Sequence, residues 1–167
     1  TGVSRSFTHE LIRHRHFSYS QLSQRYVDES DSDFIEPEVI ASDPALHAVW
    51  TEAVDAARAA YDRLIAGLVE KYSDLSDKTL RRKLARQAAR SVLPNATETK
   101  IFVTGNARAL RHFIEMRGSE FAEVEIRKVA LEMLRLMQSE APSMFADYTV
   151  ETMPDGTRAV RTPHPKV

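Results

Sequence analysis

The chain has 167 residues, no cysteine, a formal net charge of −1 and 43% hydrophobic residues. Without cysteine there is no disulfide, no thiolate metal centre and no cysteine nucleophile, and the near-neutral balance argues against an evenly basic nucleic-acid-binding domain. The length suits a single domain over 1–167 with a sizeable core, no run approaches the roughly 18 apolar residues of a membrane span, and no signal peptide is read; the absence of cysteine fits a reducing, cytoplasmic setting, which is expected here.

Thr1 to Ser6 is short and reads as the end of a strand. Phe7 to Arg15 reads as a helix with Phe7 and Leu11 on one face and Ser4 or Ser6 as its cap. Phe17 to Tyr26 is rich in Ser, Gln and aromatics, shows no sustained period, and reads as an ordered loop. Asp28 to Ser42 is acidic, contains Pro37, and reads as a mobile surface connection or a lid. Asp43-Pro44 opens the clearest helix, with Asp43 as N-cap and apolar spacing to about Tyr72; core or oligomer-interface packing is its expected role. Asp77 caps a second helix, Lys78 to about Val92, stopped by Pro94.

Thr97 to Thr104 reads as a strand, and Gly105-Asn106 as a turn whose Asn106 caps a helix to Met116 or Arg117. Gly118 is expected to end that helix in the left-handed conformation. Ser119 to Glu140 reads as a long amphipathic helix through Phe121, Val124, Val129, Leu131, Leu134 and Leu136. Tyr148 to Met153 and Thr157 to Val160 read as a hairpin around Pro154-Asp155-Gly156, and Arg161 to Val167 as a tail. The expected class is α+β, helix-rich, with a small mixed or antiparallel sheet.

Charge is segregated along this order. Arg5 to Arg25 holds four arginines against Glu10 alone, Asp28 to Asp43 holds seven acids and no base, and Lys78 to Thr97 holds six bases and no acid. Such blocks point to local anion sites. The densest is Arg13-His14-Arg15, followed at Ser23-Gln24-Arg25 by more donors. Guanidinium forks match phosphate bidentately, so phosphate is the natural partner; the alternative is a solvated basic patch. Arg82, Arg86 and Arg90 line a helical stripe, with the same two alternatives of solvated face or anion contact. A strand, a Gly-Asn turn and a helix N-terminus at Asn106 make an anion or carbonyl site, while His112 could equally be a surface or core histidine. Ser23 as a nucleophile finds no triad, and His9, His14 and His16 lack metal-ligand spacing, so no metal is expected.

The run Arg13-His14-Arg15, seven residues, Ser23 resembles the signature of the flavin-dependent thymidylate synthases. Thr8-His9-Glu10-Leu11-Ile12 before it and Gln24-Arg25-Tyr26 after it agree. So do Arg86-Gln87-Ala88-Ala89-Arg90-Ser91-Val92-Leu93-Pro94, and Asn106-Ala107-Arg108 leading to His112-Phe113 and Met116-Arg117. The resemblance runs over nearly the whole chain, which lacks the N-terminal portion of the family pattern. It implies the thymidylate-synthase-complementing type of fold and a reductive methylation of dUMP to dTMP. That reaction uses FAD, with methylenetetrahydrofolate and NADPH as co-substrates and no cysteine nucleophile.

By the same resemblance Arg13, His14, Arg15, Asn106, Arg108 and His112 hold FAD. Glu10, Arg13, Gln21, Ser23, Gln24, Arg25 and Arg90 surround dUMP. Arg117 sits against the uracil ring, favours its N3-ionised form and is the expected catalytic residue. A homotetramer with shared active sites is implied, with no membrane or nucleic-acid partner. Two other classes remain: a flavin-binding NADPH oxidase without methyl transfer, and an arginine-rich nucleic-acid-binding module.

Overall fold

A computed structural model describes residues 1–165; the end of the tail expected at 161–167 lies outside the described residues. The chain divides into two compact units, Thr1–Ser6 with Gln21–Ile101, and Phe7–Ser20 with Phe102–Val167.

The first unit is built on helices. Helix α3 (Pro44–Lys71) starts as expected: the Asp43 carboxylate accepts from the backbone N–H groups of Ala45 and Leu46 at 2.8 and 3.3 Å. It satisfies donors that would otherwise be orphaned in the first turn. Helix α4 (Lys78–Ala89) is capped the same way by Asp77 and tightens into a 3-10 turn (Arg90–Val92) before Pro94. Ala85 and Ala89 are fully buried. Of the long apolar pattern on α3, only Val54 and Tyr61 are buried within the chain, while Val49 is 67% exposed.

A two-residue strand, β1 (Val3–Ser4), pairs antiparallel with β3 (Glu98–Thr99) in the register Val3 to Thr99. The acidic connection is tied down rather than loose. Glu29 is buried, the backbone N–H of Ile35 donates to Ala96 O at 2.8 Å, and Arg58 donates to the carbonyls of Ser30 and Ser32 at 2.5 and 2.8 Å. Helix α2 (Glu38–Ala41) follows.

The second unit takes most of α1 (Arg5–Leu11), of β2 (Ser18–Gln21) and of β4 (Ile101–Thr104), together with α5 (Ala107–Arg117), α6 (Val124–Glu140), α7 (Pro142–Phe145) and the hairpin β5 (Thr149–Thr152) and β6 (Arg158–Arg161). The stretch expected as loop at 17–26 contains β2, which pairs with β4. Its alternation is carried by Tyr19 and Gln21 among serines, so polarity hid a period of two. Helix α1 ends at Leu11 rather than Arg15, and a turn continues with Leu11, His14 and Phe17 buried.

Asn106 caps α5 as expected, accepting from Ala109 N–H at 2.9 Å. Gly118 is not left-handed; its φ is −82°. Glycine is required there for space, because a Cβ would lie 2.6 Å from Ile114 O and inside the Val160 side chain. Helix α6 begins at Val124, not Ser119: Glu123 accepts from the N–H groups of Glu125 and Ile126, and Phe121 is 92% exposed. Its buried face is Ile126, Ala130 and Leu134, not the wider set read from the sequence. The hairpin is as expected, turning at Gly156 with φ +80°.

Leu134→Ala should cost about 2–5 kcal/mol by creating a cavity, whereas Phe121→Ala should change stability by less than about 0.5 kcal/mol. Urea unfolding of the two variants checks the helix boundary and its buried face together.

Candidate functional site

Three residues from distant parts of the second unit meet. Glu10 stands on α1, His14 in the turn after it, and Arg117 in the last turn of α5. Arg117 Nη1 donates to Glu10 Oε2 at 2.8 Å, and Arg117 Nε donates to His14 Nε2 at 2.9 Å. A guanidinium has no acceptor, so His14 Nε2 must carry a lone pair and the neutral ring its proton on Nδ1. The ring packs edge-on to Phe113 at 5.0 Å and lies 6.0 Å from His112. Burial, and then the charges of Arg117, His112 and Arg13, lower the His14 pKa from 6.5 to about 4. The Tyr19 hydroxyl lies 2.7 Å from the carbonyl oxygens of both Leu11 and His14 and fixes the turn from below.

Beside this group a cleft of about 1020 Å³ is lined by Asn106, Arg108 and His112 together with His16, Arg111 and Asp147. Three of the residues expected to hold the cofactor therefore share one wall. Arg13 and Arg15 are exposed and do not line the cleft; His16 does. Arg111 and Asp147 form a bidentate ion pair at 2.6 and 2.7 Å, Thr162 donates to the same carboxylate at 2.8 Å, and the guanidinium covers the Tyr148 ring at 4.5 Å. The pair holds the Asp147 carboxyl well below the usual carboxylate range, through the Arg111 hydrogen bonds first.

In the first unit, Ser23, Gln24 and Arg25 form a tight turn. Arg25 N–H donates to Ser23 Oγ at 3.4 Å, and Tyr26 and Val27 N–H donate to Ser23 O. Gln24 is 7% exposed. Its Nε2, like Arg25 Nε, is buried without a hydrogen-bond partner among the described residues. Buried donors of this kind are costly unless something supplies acceptors. Gln21 donates to Thr99 Oγ1 at 3.4 Å. Arg90 is exposed at the 3-10 turn and close enough to Arg5 to lower its pKa, behind the effects of burial and Glu29. Arg86, read from the sequence as one of an unpaired stripe, donates to Asp28 at 2.9 Å and to Tyr26 O at 2.8 Å.

Sequence reasoning missed Arg5, which donates to Leu22 O at 3.0 Å, and the buried Glu29 that faces it electrostatically. It also missed the Arg111–Asp147 pair, whose 36-residue separation leaves no local pattern. Lys83 over the Tyr26 ring at 4.8 Å had no signal beyond the basic block. Among the described residues no group of three His, Asp or Glu is placed to hold a metal, and no helix is long and apolar enough to cross a membrane.

His14 sets a pH dependence. Its folded pKa is depressed, so between about 4 and 6.5 the unfolded chain binds more protons and stability rises with pH. The contribution is complete above 6.5 and is lost as pH falls to about 4. Urea unfolding across this window should show that slope, and His14→Gln should remove it.

The family model described as "Thymidylate synthase complementing protein" matches residues 1–143. The chain is 60% identical over 163 residues to the flavin-dependent thymidylate synthase of Mycobacterium bovis (strain BCG / Pasteur 1173P2). It is 59% and 58% identical to those of Mycolicibacterium gilvum (strain PYR-GCK) and Mycobacterium avium (strain 104). Each match covers 98% of this chain and 65% of the relative, so the chain spans about two thirds of the length of these relatives. The family match runs through both units and takes in the Glu10–His14–Arg117 group and the Ser23–Arg25 turn alike, and the chain belongs to the thymidylate synthase complementing protein family.

Proposed function

We propose that the chain forms the larger part of a flavin-dependent thymidylate synthase, which methylates dUMP reductively to dTMP. The observation that carries this reading is the family match over residues 1–143, which takes in both the Ser23–Arg25 turn and the Glu10–His14–Arg117 group. The relatives' shared name supports the same reaction.

The substrate phosphate is dianionic. Arg25 and Arg90, with Ser23, Gln21 and Gln24, offer it charge-assisted hydrogen bonds worth about 1.5–3 kcal/mol each. Glu10 and Arg13 complete the proposed nucleotide set. Arg117 is the proposed catalytic residue: a guanidinium against the pyrimidine stabilises negative charge as C5 turns nucleophilic. Glu10 and the neutral His14 keep that guanidinium aimed, which is orientation in advance of the reaction.

FAD fits the cleft of the second unit. Its volume of about 1020 Å³ stands at the upper end of ligand pockets, as a dinucleotide requires. Asn106, Arg108 and His112 supply donors for a pyrophosphate on one wall, His14 adjoins His112, and Arg13 and Arg15 add positive charge nearby. When bound, the flavin supplies the reducing equivalents; NADPH and methylenetetrahydrofolate are the proposed co-substrates. We take the assembly to be a homotetramer with shared active sites, in which the exposed apolar residues of α3, Leu46, Val49 and Leu64, would meet a second copy. We further take residues 1–167 as one functional domain, working in the cytoplasm without a membrane or nucleic-acid partner.

The purified protein titrated with FAD should develop a bound-flavin spectrum and, with the co-substrates, form dTMP only when dUMP is present. Flavin uptake with NADPH oxidation but no dTMP would indicate an oxidase. Binding of neither flavin nor dUMP would overturn the proposal.

Arg117→Ala should lower turnover by about 10²–10³-fold while the flavin spectrum is retained. Wild-type turnover would remove Arg117 from the reaction.

A further inference from the structure

Helix α5 carries Arg108, His112 and Arg117 behind its cap Asn106, and the hairpin after α7 grips it at two levels. At mid-helix, Asp147 pairs bidentately with Arg111, and Thr162, just past β6, donates to the same carboxylate. At the C-terminal end, Val160 N–H donates to Gly118 O at 2.7 Å, and the Val160 side chain occupies the space that any side chain on residue 118 would need. Arg161 closes on Glu120 at 2.6 and 3.0 Å one step further on. Arg117 precedes Gly118 directly. Its backbone is therefore fixed from the hairpin side while its guanidinium is held from the other side by Glu10 and His14.

We infer that the β5–β6 hairpin is the positioning clamp for Arg117, with Gly118 and Val160 as positioning residues that seat the guanidinium on Glu10 and His14. The use made of that seat, contact with the pyrimidine, rests on the function proposed above. Space is the constraint. Packed elements do not deform continuously, so a methyl group at 118 must displace either the last turn of α5 or strand β6. A displacement of about 1 Å is enough to break a hydrogen bond with the geometry of Arg117 to His14. Of the other groups facing His14, Phe17 and Arg13 come from the turn after α1, away from residue 118, whereas Phe113 and His112 stand on α5 itself, before its last turn.

The test is the titration of the His14 ring by NMR in the folded full chain, with dUMP affinity by calorimetry alongside. Gly118→Ala should raise the His14 pKa from about 4 part of the way toward 6.5, because burial, the larger cause, stays while the Arg117 charge leaves the ring. It should also weaken dUMP binding by at least about fivefold, the effect of roughly 1 kcal/mol. Val160→Gly removes the buttress without adding bulk and should act in the same direction, so the test stands if Gly118→Ala does not fold. Asp155→Ala, which weakens the hairpin turn away from Gly118, should lower stability and leave the His14 pKa alone. A wild-type His14 titration in both folded variants overturns the clamp, as does an equal shift in Asp155→Ala. A wild-type chain that binds no dUMP, with the His14 shift intact, overturns the nucleotide reading and leaves the clamp supported.

Discussion

Everything in the second unit is arranged around one hydrogen bond, from Arg117 Nε to an unprotonated His14 Nε2. A cation beside an imidazole is ordinarily a conflict. It is relieved here because the ring is buried and kept neutral, so that it accepts instead of competing. The carboxylate of Glu10 takes the second arm of the guanidinium and balances its charge. A fixed, half-paired arginine results, with orientation set by two partners.

That constraint explains features that composition alone leaves unconnected. The turn after α1 buries every third residue so that His14 faces Phe113 rather than water. Gly105 is needed because a Cβ there would lie 2.6 Å from Phe17 Cε1, the ring packed beside His14. Gly118 is needed because Val160 fills the space beside it. Two glycines and one histidine are thus parts of one packing problem, posed by where Arg117 must stand.

Much of this was legible in the sequence. Caps were the most reliable signals: Asp43, Asp77 and Asn106 act at the helix starts where they were expected, since a side-chain oxygen accepting from the first turn needs only local geometry. The hairpin at Gly156 was local too. Errors arose where distant residues decide. Strand β2 looked like a loop because its partner β4 lies some eighty residues on. Helix α6 looked five residues too long because Phe121 continued an apolar pattern without being buried. Gly118 was assigned a left-handed turn when its real constraint is Val160, forty-two residues away. At the site, the family resemblance singles out Glu10, His14 and Arg117, but gives no sign that they bond to one another. Arg111 with Asp147, and Arg5 with Glu29, carried no pattern at all.

In the folded chain His14 is a neutral acceptor for Arg117. Long-range ¹⁵N–¹H correlation spectra of the imidazole at neutral pH test it most directly. A proton on Nδ1 and none on Nε2 is expected, with the Nε2 shift displaced by the donated hydrogen bond. A proton on Nε2, in either the other tautomer or the imidazolium, would contradict it.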